Sequence, residues 1–410
     1  MVRPSLFQIF LCFLKIGFIS FGGFMSLVSM IETQVVEKRK WISNEDMLDG
    51  ISLASLLPGP MAVNTVAYVG YRLRGAPGAL VSAVAVLLPT TMLMIVLTDL
   101  YFRFGSLPEV ERVFGGILPA VAAIVLSVCL RMAQKNIKSR RMWAALVASI
   151  LLVGFAPKAW KIYATFGVVA LYGFAGYLVY IVQQRRAKNP QAGTKQKGSP
   201  PRMRLSSARA WGFLTLCIIG LLGIVPLPVA PNSLVALMTT FASMSLTLFG
   251  GGYVFIPMIQ EVVVERFEWV TSQEFIDGIA LGQITPGPIL ISAAFIGQKV
   301  AGITGALLST VAIFTPPAML MVLLAGMLDR IKSSPVIQSV LTAIRVAVIG
   351  LIFKAFMNIF MMAWPTGSHD IPAYGLVAVI FLASFIAMSR FKVDVVWIIP
   401  LAGLLGLWLG

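Results

Sequence analysis

The sequence predicts an all-α polytopic membrane protein of about 13 transmembrane segments, built from two inverted homologous repeats with Pro/Gly-broken helices. Three observations predict it. Of 410 residues, 58% are hydrophobic and only 12% charged, with a mean hydropathy of +0.90; a soluble domain runs at roughly 45–50% and about 25%. A long stretch of the first half recurs in the second at constant spacing. Each copy of that stretch carries a Pro-Gly-Pro inside an apolar run. The composition excludes a soluble enzyme, a disulfide-stapled secreted domain and a disordered chain.

Apolar segments run over 5–31, 48–71, 78–102, 113–133, 142–156 and 162–182. They resume over 210–226, 234–260, 276–301, 304–328, 337–361, 372–389 and 394–410. Most are near the roughly 20 residues that cross a bilayer as a helix. The 142–156 run is short and reads either as a crossing or as a re-entrant piece. The first run is long, contains Lys15 and lacks a small-residue cleavage site, so no cleavable signal peptide is expected. From Arg185 to Arg209 there are eight Lys/Arg, no acid, and the run Gly198-Ser199-Pro200-Pro201. That composition makes a solvated, flexible linker. The expected organisation is a first repeat over 1–182, a basic cytoplasmic linker over 183–209, an extra span and turn over 210–233, and a second, inverted repeat over 234–410.

The chain holds 32 Lys+Arg against 16 Asp+Glu, a net +16. In a membrane protein this excess belongs to cytoplasmic loops and anionic membrane lipids, not to nucleic acid. With the N-terminus inside, 21 Lys/Arg fall in cytoplasmic segments, eight on the opposite side and three inside spans. The bias predicts a cytoplasmic N-terminus and an outside C-terminus in a bacterial inner membrane. Homo-oligomerisation stays open.

Residues 36–61 (VEKRKWISNEDMLDGISLASLLPGPM) and 264–289 (VERFEWVTSQEFIDGIALGQITPGPI) are identical at ten of 26 positions, at an offset of 228. Phe21-Gly22-Gly23 matches Phe249-Gly250-Gly251 at the same offset, and Pro89 with Met92-Leu93-Met94 matches Pro316 with Met319-Leu320-Met321 one residue short of it. The chain is a tandem duplication. Six spans in the first half and one unmatched span before the second invert the second copy. Inverted repeats with interrupted helices at matching positions place a transporter's binding site where the interruptions meet.

Pro58-Gly59-Pro60 and Pro286-Gly287-Pro288 cannot lie in a helix interior, because proline lacks an N–H and clashes with the preceding turn. Each is expected to break its span near the middle and start a new helix, with Thr285 as an N-cap for the second. Such backbone survives in lipid only when buried in protein or lining a cavity. The N–H groups of Gly59, Met61, Gly287 and Ile289 would then form an anion site at the positive ends of helix dipoles. Asn64, one turn on, could donate to a bound oxyanion, and Ser292 holds the matching place. Gly22, Gly23, Gly250 and Gly251 either add N–H groups to this cavity or allow close helix packing.

Lys15 lies on one helical face with Gly22 and reads as a pathway cation or as a lysine snorkelling to the interface; Arg345 lies about a third of the way into its span. Asp49 and Asp277, each followed by glycine, either relay protons or cap helices. Cys12, Cys129 and Cys217 are far apart and His369 is the only histidine, so neither a disulfide framework nor a metal site is expected, and no cofactor. Gly250-Gly251-Gly252 lacks the Lys-Ser/Thr of a phosphate loop. A lipid-modifying enzyme would need intramembrane His or clustered carboxylates. A channel is the other open class.

Phe-Gly-Gly in an early span, Trp41 with its acidic neighbours, and LLPGPMAVNTVAYVGYRLRG (56–75) together resemble the chromate ion transporter family. The second half, with FGGGYVFIPMIQEVVVE and LGQITPGPILISAAFIG, resembles the same domain again, as in long two-domain members. Phe24 and Gly252 depart from the proline that many long members place after Phe-Gly-Gly. The resemblance implies export of chromate, a sulfate-like dianion, driven by the proton-motive force; sulfate or another oxyanion is the alternative.

Overall fold

The structure is a computed structural model that describes residues 4–21, 24–105, 107–157, 161–187, 233–248, 255–327, 334–364 and 371–409. Those residues form helices and no strand. The first half contains α1 (Leu6–Ile19), α2 (Phe24–Ile31), α3 (Asn44–Leu56), α4 (Met61–Phe104), α5 (Pro108–Asn136), α6 (Arg140–Gly154) and α7 (Lys161–Ala187). The second contains α8 (Leu234–Thr247), α9 (Phe255–Gln260), α10 (Ser272–Ile284), α11 (Ser292–Leu324), α12 (Pro335–Ala363), α13 (Ile371–Ser389) and α14 (Val395–Leu409). The linker from 188 and the expected extra span over 210–226 lie outside the described residues.

The duplication read from the sequence extends to backbone angles. Gly59 and Gly287 have φ of 93° and 115°, and Lys40 and Glu268 have 52° and 53°. Arg74-Gly75 inside α4 (φ/ψ −143/24 and 65/−152) are matched by Ala301-Gly302 inside α11 (−145/30 and 60/−155). The helix starts also correspond. Ser43 and Thr271 cap α3 and α10, accepting from the backbone N–H of Asp46 and Glu274, which satisfies donors that a helix's first turn leaves unpaired.

The segments expected to cross with a break in the middle instead fold back on themselves. Arg72 pairs with Asp46, and a Cβ on Gly50 would touch the Tyr68 ring, so α3 and the first part of α4 are antiparallel with Pro58-Gly59-Pro60 at the tip. Lys299 pairs with Glu274 at 2.8 Å, and a Cβ on Gly278 would touch the Phe295 ring, giving a second hairpin tipped by Pro286-Gly287-Pro288. A helix of 13 residues is about 20 Å long, short of the roughly 30 Å hydrocarbon core. The left-handed glycine between two prolines supplies the reversal. The 5–31 and 234–260 runs reverse as well. Arg74 Nε donates to the Pro4 carbonyl at 2.7 Å, which brings the start of α1 to the end where α3 begins. In the second half Phe241, inside α8, lies 6.2 Å from Trp269, just before α10.

Past Gly75 the chain turns again, and the Ser82 hydroxyl donates to the Val66 carbonyl at 3.1 Å. The rest of α4 then passes the open end of the first hairpin, the tips, and the open end of the second. Thr90 bonds Pro286, Gln298 Nε2 donates to the Ile95 carbonyl at 3.1 Å, and Lys299 sits over the Phe102 ring at 4.6 Å. Among the described residues five helices are long and apolar enough to cross a membrane: Met61–Phe104, Pro108–Asn136, Ala164–Gln184, Ile289–Leu324 and Pro335–Ala363. Outside the hairpins the halves interlock. The α5 helix packs against α12, α13 and α14, and α12 against α5, α6 and α7. Small residues permit this: a Cβ on Gly116 would lie 2.7 Å from Gly406 Cα.

Candidate functional site

The Pro-Gly-Pro tips meet the ends of the opening helices, each across the repeat boundary. Gly59 N–H donates to the Leu248 carbonyl at 2.7 Å, where α8 ends, and Gly287 N–H donates to the Ser20 carbonyl at 2.9 Å, where α1 ends. Pro317 on α11 closes over Gly59, and Thr90 on α4 closes over Gly287. Two of the four N–H groups expected to be free for an anion are therefore bound. The α4 helix opens at Met61 after Pro60 with no side-chain cap, and the turn Ile289–Ile291 opens after Pro288 in the same way. First-turn N–H groups there have no intrahelical partner. Pro58, Pro60, Pro286 and Pro288 fix these turns. Gly22, Gly23, Gly250 and Gly251 lie outside the described residues.

Asn64 is fully buried, donates Nδ2 to the Pro58 carbonyl at 3.0 Å, and leaves Oδ1 unpartnered. Ser292 is buried and bonds back to the Ile289 carbonyl at 2.6 Å. Both hold the tips rather than reach outward. Thr285 ends α10 as its C-cap, with Oγ1 on the Gly282 carbonyl at 3.0 Å, so it is not the N-cap expected. Gln283, one turn before the second tip, is buried with both amide atoms unpartnered, and so is the Ser20 hydroxyl.

Arg345, half-buried on α12, reaches the first tip and donates from Nη2 to the Ser55 carbonyl at 3.3 Å. A guanidinium at the end of α3 meets the negative end of that helix dipole. Lys15 is exposed on α1, off the buried stripe of Ile9, Cys12, Phe13 and Ile16, and is not gathered into the tip cluster. Asp277 is buried inside α10, bonded to Tyr101 and Gln273; Asp49 is half-buried. Neither caps a helix, since Ser43 and Thr271 do.

At the open ends, burial pushes the Asp46 carboxyl up, but the Ser43 hydroxyl and Arg72 outweigh it and hold it below its ordinary value. Glu274 is held down in the same way by Lys299 and Thr271 against its own burial. Between α4 and α11 lies a cavity of about 480 Å³ lined by Thr91, Thr310, Thr315 and otherwise apolar residues. Without a cation in its lining it does not suit a dianion. Among the described residues no group of three His, Cys, Asp or Glu could hold a metal ion.

Sequence reasoning singled out the tips and Arg345 but missed what closes over them. Thr90 and Pro317 adjoin the repeated prolines 89 and 316, which was the available signal. Tyr101 and the carbonyls of Ser20, Ser55 and Leu248 carried none.

Duplicated helical halves that meet through interrupted helices, in a chain of this apolarity, have the architecture of many polytopic membrane transporters. Residues 7–177 and 235–407 match the chromate transporter family, and the chain belongs to that family. It is 31% identical to a probable chromate transport protein of Synechococcus elongatus, over 92% of this chain and 89% of that protein. It is 29% identical to an uncharacterized transporter of Methanocaldococcus jannaschii, over 98% and 94%. It is 28% identical to a chromate transport protein of Cupriavidus metallidurans, over 86% and 82%. No solved structure matches it.

Proposed function

We propose that this transporter exports chromate from the cytoplasm, driven by the proton-motive force, and binds the dianion where the Pro-Gly-Pro tips of the two repeats converge. One arrangement carries the reading: the helical starts at Met61 and Ile289 have no side-chain cap, each tip is bonded to the opposite repeat, and Arg345 reaches the end of α3 beside the first tip. Unpaired first-turn N–H groups, helix dipoles and a guanidinium together favour a tetrahedral oxyanion. The named relatives from Synechococcus and Cupriavidus support chromate. Recognition by backbone N–H groups discriminates by charge and shape, so sulfate competes.

The repeats are inverted in this reading. It is supported by α4, which runs from the open end of one hairpin past both tips to the open end of the other. Treating four of the thirteen apolar segments as re-entrant removes an even number of crossings. The N-terminus and the basic linker therefore stay cytoplasmic and the C-terminus outside, as the distribution of basic residues favours.

Uptake of radiolabelled chromate into everted vesicles tests this. Vesicles carrying the protein accumulate more chromate under a proton gradient than empty vesicles, and excess sulfate lowers the rate. Equal uptake by both sets overturns the substrate.

A further inference from the structure

Asp277 is 4% exposed. One carboxylate oxygen accepts from the Tyr101 hydroxyl at 2.7 Å, the other from Gln273 Nε2 at 2.9 Å. Tyr101 lies near the end of α4, so this bond joins the second hairpin to the long helix of the first repeat. Among the described residues no cation pairs with Asp277. Glu274, its neighbour on α10, takes Lys299 of α11 for itself at 2.8 Å. Three further helices pack on α10. Of these, α9 and α14 have no ionisable residue, and Glu109, Glu111 and Arg112 at the start of α5 are exposed; on α4, Arg103 pairs with Asp99 at 2.9 Å. An uncompensated buried carboxylate is costly when charged, and two hydrogen bonds offset only part of that cost. The repeat counterpart Asp49 differs: it is half-buried and within the field of Arg72.

We propose that Asp277 carries the coupling proton of the transport cycle, taking it from the side on which the second hairpin opens, with Tyr101 as the residue that passes its protonation state to α4. This rests on the reading of the chain as a proton-driven exporter. A proton from water on that side binds one carboxylate oxygen and later leaves toward the opposite side; no other bond is made or broken. The charged carboxylate is a strong acceptor for the Tyr101 O–H, and the neutral acid a weaker one. Protonation therefore loosens Tyr101. Three turns back along the same helix, Thr90 holds the carbonyl of Pro286 at the tip, so a shift of α4 reaches the cluster where the anion is proposed to bind.

The test uses the purified full chain in proteoliposomes and two rates: exchange of labelled against unlabelled chromate at equal pH, and accumulation driven by a pH gradient. Wild type shows both, with several-fold stimulation by the gradient. Asp277→Asn continues exchange with a flat pH profile and loses the stimulation entirely, and Asp277→Glu regains it. Tyr101→Phe keeps gradient-driven transport with its pH profile displaced to higher pH, because the charged carboxylate has lost a donor. A gradient-responsive Asp277→Asn overturns this assignment alone, as does loss of its exchange at normal abundance. Wild type that ignores the gradient removes the proton-driven reading and this inference together. Should Asp277→Asn not be recovered folded, Tyr101→Phe decides, and an unmoved pH profile overturns the assignment.

Discussion

Gly287 donates its backbone N–H to the carbonyl of Ser20 at 2.9 Å, tying the second repeat's hairpin tip to the end of the first repeat's opening helix. Its partner bond runs from Gly59 to Leu248 at 2.7 Å. The two bonds make each half incomplete without the other, and they change what a substitution at these glycines reports.

Gly59→Ala and Gly287→Ala are expected to lower the yield of folded protein, and not transport alone. Both positions have left-handed φ, 93° and 115°, which costs an alanine about 1–3 kcal/mol. At Gly59 the new methyl would also lie 2.3 Å from Pro317 Cβ, a ring that cannot rotate away, whereas at Gly287 it would lie 2.7 Å from the Thr90 hydroxyl, which can. The loss should therefore be larger at Gly59. Thermal unfolding followed by size-exclusion chromatography in detergent measures it; equal stability of both variants and wild type would contradict the packing.

Arg345→Leu should fold and fail to transport. The matching position in the first repeat is Leu118, so this helix surface accepts leucine in the equivalent place. Removing the guanidinium leaves the Ser55 carbonyl without its donor and the tip cluster without its cation. Chromate uptake should fall at least about tenfold, the order expected when a charge-assisted contact to an ion is removed. Arg345→Lys keeps the charge but not the planar fork, and should retain part of the rate. Near-normal uptake by the leucine variant at wild-type abundance would remove Arg345 from the site.

The duplication, the apolar class and the positions of the chain breaks were all legible in the sequence, because Pro-Gly-Pro has few allowed backbone geometries. The direction of the chain after the break was not. A kinked crossing and a folded hairpin share the same apolar run; the Asp46–Arg72 and Glu274–Lys299 pairs, with the close approaches of Gly50 to Tyr68 and Gly278 to Phe295, distinguish them. Those pairs sit at repeat-matched positions, so their joint occurrence was a signal of the hairpin. The use of the glycine N–H groups by Ser20 and Leu248 depends on backbone carbonyls, whose availability no side chain announces. Lys15 was read by helical periodicity as sharing a face with Gly22, but the buried stripe of α1 passes through Cys12 and Ile16 and leaves it exposed.

The ion pairs that close the hairpins should contribute little stability, and with a defined pH dependence. Their side chains are 48% and 22% exposed for Arg72 and Asp46, and 39% and 19% for Lys299 and Glu274, so solvent screening limits each to roughly 0–1 kcal/mol. Both carboxyls are held below their ordinary values. Their contribution is therefore complete above the unfolded carboxylate value and is lost as pH falls through the lowered folded values. Melting temperature should drop on acidification below about pH 4, and less so in the double variant Arg72→Gln with Lys299→Gln. An identical acid profile in that variant would place the acid sensitivity elsewhere.

Ala76 and Ile303 occupy the same place in the two repeats, each one residue past the left-handed glycine at which α4 or α11 turns, and both are exposed. If the repeats are inverted, these equivalent positions face opposite sides of the membrane. Introduced singly as cysteines in a background without the three native ones, they separate the alternatives. Ile303→Cys should react with an impermeant thiol reagent in intact cells, and Ala76→Cys only in everted vesicles. The basic residues beside Ala76, Arg72 and Arg74, argue for the cytoplasmic assignment of that end. Two parallel repeats, or hairpins entering from one face, would label both positions from the same side. That outcome would remove the inverted arrangement, and with it the assignment of the second hairpin's opening to the outer surface.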